Sequence, residues 1–181
     1  MKVRNGFVSN SSSSSFIIAI PMCGCNTVGK LQDYLFHNQT VYPNPYIFDE
    51  NDVFGWPVSD VAKVVLNDIK AQEPKVEEEL VEEYCSGYTK EYEEANTIAQ
   101  NMLNIGPDTW KLDPKDRRKY YDLSNEKLRG LSSTIIKDLM ANNPECFFYV
   151  VSYSDNDGEF CSALEHGTLF DMIPHLRISH H

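Results

Sequence analysis

Apolar and polar positions alternate in two different rhythms along this chain, and the rhythm changes twice. Residues 16–20, "FIIAI", form a short unbroken apolar run rich in aromatic and β-branched side chains. Serines precede it and Pro21 follows it, so the run reads as a buried strand. Residues 27–37 fit a short helix with Leu31, Tyr34 and Leu35 on one side. Residues 38–57 carry three prolines and many aromatic rings within "VYPNPYIFDENDVFGWP". They read as a loop, and one that packs onto the body, because a solvated linker has no use for so many rings.

From there the period is helical. Ser59 or Asp60 caps a helix whose stripe is Val61, Val64, Val65 and Ile69. Pro74 opens a second one, with Val76, Leu80 and Tyr84 recurring every four residues and Gly87 at its end. A third runs from about Thr89, with Tyr92, Ala95, Ile98, Ala99 and Met102 inward, and stops at Gly106-Pro107. Asp113-Pro114 pairs a capping residue with a first-turn proline. Ser124 reads as the cap of a further helix bearing Leu128, Leu131, Ile135 and Leu139. "ANNP" ends it, since the residue before Pro144 is steered away from helix.

After residue 145 the period shortens. "CFFYVVSYS", "DNDG" and "EFCSALE" read as strand, tight turn and strand. "GTLFDMI" fits one helical turn and "HLRIS" a last short strand. The sum is an α+β fold. Its small, mainly antiparallel sheet takes the N-terminal strand, the C-terminal hairpin and the last strand, and a helical block over 58–143 is inserted within one domain, 1–181. In that arrangement the first strand pairs with the late hairpin, and the two chain ends meet.

Composition narrows the function classes. The 181 residues carry 27 acidic against 16 basic side chains, a formal charge of −11. Such a surface repels polyanions, which argues against nonspecific nucleic-acid or anionic-membrane binding and suits a basic protein partner. No apolar run approaches the roughly 18 residues that a membrane span needs. Five cysteines, an odd and scattered set, do not resemble a secreted disulfide framework. They predict reduced thiols and a cytoplasmic location. The Cys23-Gly-Cys25 pair alone does not define a metal site.

Three patterns carry candidate chemistry. The first is the N-terminal tract: successive backbone N–H groups and serine hydroxyls can cradle an anion. Arg4, Ser11, Ser12 and Ser13 are its candidate anion-binding residues, for phosphate or a nucleotide. A Walker loop is excluded, because the order is loop then strand and the lysine is missing. The second is the C-terminal cluster, where four of the five histidines lie after residue 165. Glu165, His166, His175 and His180 are candidate ligands for a divalent transition metal, zinc or manganese, at one end of the sheet. A metal-bound water there would support hydrolysis, with phosphoesters as the substrate class. The third is the acidic run 76–94, which fits a solvated helix face or a surface that docks a basic protein. "SDNDGE" is not an EF-hand loop, since the register places Tyr153 first and Leu164 twelfth, where carboxylates are required. No GxSxG pattern occurs.

The opening "RNGFVSNSSSSSF" resembles an N-terminal signature of assorted uncharacterised proteins of bacteriophages and bacteria, and "HLRISHH" is a fainter echo of the same group. The resemblance implies origin in a phage or prophage, as an accessory gene, and it brings no catalytic residue with it. The leading expectation is therefore an accessory protein that binds a host or phage macromolecule through its acidic helices. A small metal-dependent hydrolase and an anion binder are the alternatives.

Overall fold

The computed structural model describes residues 13–45 and 55–180. Five strands and six α-helices follow one another among these residues. They are β1 (Ser13–Pro21), α1 (Val28–Phe36), β2 (Val41–Pro43), β3 (Gly55–Pro57), α2 (Val58–Lys70), α3 (Glu77–Cys85), α4 (Lys90–Leu103), α5 (Pro114–Asn142), β4 (Cys146–Ser154), α6 (Glu159–His166) and β5 (His175–Ser179). This is an α+β fold. The main sheet has the order β4-β1-β5 with both pairings antiparallel, and β2 and β3 form a separate two-stranded sheet.

The central place of β1 explains its sequence. Residues with alternating parity face opposite sides of a strand. Phe16, Ile18 and Ile20 enter one core, shared with Leu31 and Leu35 of α1, Val61 and Val65 of α2, and Leu164 of α6. Ile17 and Ala19 enter a second core with Leu80 and Tyr84 of α3 and Ile136 of α5. A strand covered on both faces needs a continuous apolar run, and "FIIAI" supplies it. The sheet is thus a middle layer, with α1, α2 and α6 on one side and α3 and α5 on the other. Helix α4 packs outside, where Tyr120 and Ser124 of α5 both donate to Asn96 Oδ1 at 2.8 and 2.6 Å.

The serine tract runs straight into this strand because it is part of it. Ser13, Ser14 and Ser15 pair with Ser154, Tyr153 and Ser152 of β4, and Ser14 and Ser15 also pair with Ser179 and Ile178 of β5. Short hydroxyls fit there because cross-strand partners satisfy them.

Four local expectations change. Residues 159–165 form helix α6, not a second hairpin strand. Gly158, at φ 99°, turns the chain out of β4. Phe160, Ala163 and Leu164 then fall at helical spacing and pack into the first core. Ser124 caps nothing: it lies inside the single 29-residue helix α5, where Asn96 absorbs its polarity. Residues 38–57, expected as loop, contain β2 and β3. Residues 168–173 form hydrogen-bonded turns, Asp171 N–H to Thr168 O and Ile173 N–H to Phe170 O, not a helical turn. Two further readings also change: Ser59 and Asp60 cap nothing, since α2 begins at Val58 with Pro57 before it, and Val76 and Met102, expected on inward stripes, are exposed. Three helix starts read as expected. Thr27 Oγ1 caps α1, Thr89 Oγ1 caps α4, and Asp113 Oδ1 accepts from Lys115 and Asp116 N–H at the start of α5. Among the described residues no helix is long and apolar enough to cross a membrane.

Edge strands expose unpaired backbone, and this sheet covers part of each edge. On β4 the Gln72 side chain imitates a neighbouring strand, donating from Nε2 to Val150 O at 2.8 Å and accepting Val150 N–H at 3.4 Å. Lys75 N–H takes Phe148 O at 2.8 Å. On β5 the link between α3 and α4 forms a bridge, with Tyr88 N–H donating to Ser179 O at 2.7 Å.

Candidate functional site

The two halves of the predicted chemistry lie on opposite faces of the main sheet. Parity decides this. His175 faces the α1–α2–α6 side, its ring centroid 6.5 Å from Phe16 and 6.3 Å from Phe170, with Nδ1 3.1 Å from Ile173 O. Glu165 and His166 close α6 on the same side, and Glu165 Oε2 is 3.5 Å from His166 Nε2. Glu165 is fully buried, and neither of its oxygens has a hydrogen-bond partner among the described residues. His180 sits on the other side, with Nε2 2.9 Å from Ser15 Oγ. The structure therefore joins Glu165 to His166 and leaves His180 across the sheet from His175. Among the described residues no three His, Cys, Asp or Glu side chains come together in a way that could hold a metal ion.

Of the anion-binding candidates, Arg4, Ser11 and Ser12 lie outside the described residues. Ser13 begins β1, and its carbonyl accepts His180 N–H at 2.9 Å. The next serines have specific partners. Ser14 is buried, with Arg177 Nη2 donating to its Oγ at 3.3 Å while the guanidinium lies 5.6 Å from the Phe16 ring centroid. Ser15 Oγ is 2.9 Å from Ser152 Oγ of β4 as well as from His180.

The acidic run resolves into two helices with different roles. On α4, Glu91 turns inward and accepts the Tyr84 hydroxyl at 2.7 Å. On α3 the five glutamates face outward, and cations meet four of them. Arg129 Nη2 lies 3.6 Å from Glu78 and 3.9 Å from Glu82, Lys137 Nζ 3.6 Å from Glu77, and Lys75 Nζ 3.3 Å from Glu79. The Val76 N–H and the Lys75 ammonium hold the Glu79 carboxyl below the usual range. Glu83 has no ion pair among the described residues. Where α3 overhangs the edge of β4, Lys75, Glu79, Glu82, Glu83 and Val150 line an open groove of about 320 Å³. The basic stretch at the start of α5 is internally balanced, with Lys119 on Asp116 at 2.9 Å and Arg118 near Asp122 at 3.9 Å.

A larger cleft of about 470 Å³ opens at the other end of the sheet, among Ile20, Met22, Cys25, Leu66, Phe147 and Tyr149. Its chemistry is quiet. Burial raises the Cys25 thiol above its ordinary range, which keeps it protonated and poorly nucleophilic. The neighbouring Tyr34 hydroxyl, which donates to Ala19 O at 3.0 Å, is pushed up to about 12 by burial. All five cysteines are free thiols.

Sequence reasoning missed Ser15, Ser152 and the groove. A signal existed for the first two. Val150 and Ser152 share parity on β4, as Ile17 and Ser15 do on β1, so a matched register puts two serines opposite each other. The groove had no linear signal, because it needs α3 laid over β4. Comparison of the chain with protein-family models, with curated proteins and with solved structures finds no match.

Proposed function

We propose that this chain is an accessory binding protein whose α3–β4 groove docks a basic segment of another protein. The observation that carries the reading is the lining of that groove: three glutamates, one lysine and one edge-strand valine. Among the described residues the five carboxylates of α3 face three cations within ion-pair distance, so a negative excess remains on that helix. The net charge of −11 adds long-range attraction for a basic partner. Val150 gives the groove an apolar floor, on which the stem of a docked Lys or Arg can lie while its head reaches a carboxylate. The opening signature supports a phage or prophage origin, and a host or phage protein is the partner class.

The test is fluorescence anisotropy with a labelled Lys/Arg-rich decapeptide. Exposed ion pairs contribute about 0.2–1 kcal/mol each. Neutralising Glu79, Glu82 and Glu83 together to Gln is expected to weaken binding roughly tenfold. Raising salt from 50 to 300 mM is expected to weaken the parent and to matter much less for the variant. Equal affinity of parent and triple variant contradicts the reading. The hydrolase alternative draws on Glu165 and His166, which can contribute two adjacent ligands; stoichiometric zinc or manganese in untagged protein, lost in Glu165→Gln, would favour it.

A further inference from the structure

Strands β4 and β1 and the residue that follows β5 contribute one group each to a hydrogen-bonded row on the α3–α5 side of the sheet. Ser15 Oγ, on the central strand, stands 2.9 Å from Ser152 Oγ on one side and 2.9 Å from His180 Nε2 on the other. Ser15 is 3% exposed, whereas Ser152 is open to solvent. A hydroxyl has one proton to donate. When Ser15 gives its proton to an unprotonated Nε2, its oxygen is left to accept from Ser152. When Nε2 carries a proton, every bond in the row reverses. The imidazole therefore controls, through a buried hydroxyl, the proton on an exposed one.

The ring is held in place for this. His180 N–H donates to Ser13 O at 2.9 Å, extending the β1–β5 ladder by one residue. Gly87, between α3 and α4, closes on the other side. A Cβ there would lie 3.0 Å from His180 Nδ1, and 2.5 Å from both Ser179 O and Ile178 Cγ2. Only glycine permits this approach, which packs backbone against the Nδ1 side while Nε2 points at Ser15. Among the described residues no carboxylate lies within ion-pair distance of His180, so the row consists of two serines and an imidazole.

We propose that Ser152 is a nucleophile for acyl transfer, with His180 as its general base through Ser15, and with an activated ester or thioester as the substrate class. Ser152 Oγ bonds to the carbonyl carbon as the C=O π pair moves to oxygen. Its proton passes to Ser15 as the Ser15 proton passes to Nε2. When the oxyanion collapses, the C–O or C–S bond to the leaving group breaks, and the leaving group takes a proton back along the row. Water then adds to the acyl-serine, gives a proton to the row, and releases the acid as Ser152 regains its hydrogen. The net change is hydrolysis. This does not rest on the docking groove, although Val150 in the groove lies two residues from Ser152 on the same face of β4.

A fluorophosphonate probe tests it on the full chain. The Ser152 Oγ–P bond forms, the P–F bond breaks, fluoride leaves with the electron pair, and the proton ends on His180. Peptide mapping by mass spectrometry is expected to find the adduct on Ser152, formed at least tenfold faster than on Ser59, an exposed serine of α2. Ser152→Ala is expected to abolish it. His180→Gln and Ser15→Ala are each expected to slow it by roughly a hundredfold, the scale of a lost general base. Should Ser15→Ala fail to fold, His180→Gln, at the half-exposed end of the ladder, decides alone. Labelling of Ser152 no faster than of Ser59, or unchanged in His180→Gln, overturns the proposal.

Discussion

Gly167→Ala is a one-carbon change that bears on how α6 is fixed to the small β2–β3 sheet. Gly167 follows α6 with φ −84°, a backbone that alanine adopts freely, so the substitution alone removes unfolded-state freedom and stabilises by about 0.4–1 kcal/mol. Space opposes it. The new Cβ would run into Tyr42 Oη, and would stand 2.6 Å from Ala163 O and 2.9 Å from Tyr42 Cζ. Tyr42 is buried, with its ring edge-on to Phe36 at 6.0 Å and its hydroxyl donating to Ala163 O at 3.1 Å. To make room the ring has to move by about an ångström, away from its acceptor. Overpacking costs about 1–3 kcal/mol. A buried hydroxyl without its partner costs about 1–3 kcal/mol more. The expected net loss is about 1–6 kcal/mol, read as a lower urea midpoint with an unchanged slope. Tyr42→Phe removes the first atom the Cβ meets. The double variant is therefore expected to lose at least 1 kcal/mol less than the sum of the singles, on the order seen for groups in contact. A Gly167→Ala protein within about 0.5 kcal/mol of the parent, or additive singles, would refute the packing argument.

Two further perturbations follow from named hydrogen bonds. Tyr84→Phe leaves the buried Glu91 carboxylate without its 2.7 Å donor and is expected to cost about 1.5–3 kcal/mol, the range for a bond to a charged group; a thermal midpoint unchanged within 1 °C contradicts it. Gln72→Ala uncovers the β4 edge at Val150 and is expected to speed amide exchange there roughly tenfold, consistent with loss of a bond of about 1 kcal/mol, while Ile17 on the central strand keeps its protection.

Much of this fold is legible because both faces of β1 are buried. A five-residue apolar run has few other uses, and the last strand and the caps Thr27, Thr89 and Asp113 follow from local chemistry that tertiary context leaves alone. The misreadings have physical reasons. Residues 159–165 read as a strand because the preceding turn residues suggest a hairpin, although Phe160, Ala163 and Leu164 also fit the helical stripe that the structure shows. Ser124 resembles a cap because serine is favoured at helix N-termini over helix interiors, and its interior place depends on Asn96 of another helix. The serine tract hid its share of β1 because serine is a poor strand former; its hydroxyls are stable there only against Ser152, His180 and Arg177, which lie more than 130 residues away in sequence. The candidate site was readable as composition, acidic helix and terminal histidines, but not as geometry. Strand parity divides His175 from His180, and no count of histidines reveals that.

The most direct test of the binding account is a chemical-shift titration of isotope-labelled protein with the basic decapeptide. The predicted perturbations cluster on residues 79–83 of α3 and 150–152 of β4, and vanish at high salt. Perturbations confined to the cleft around Cys25 and Leu66, or to the exposed residues of α5, would contradict it.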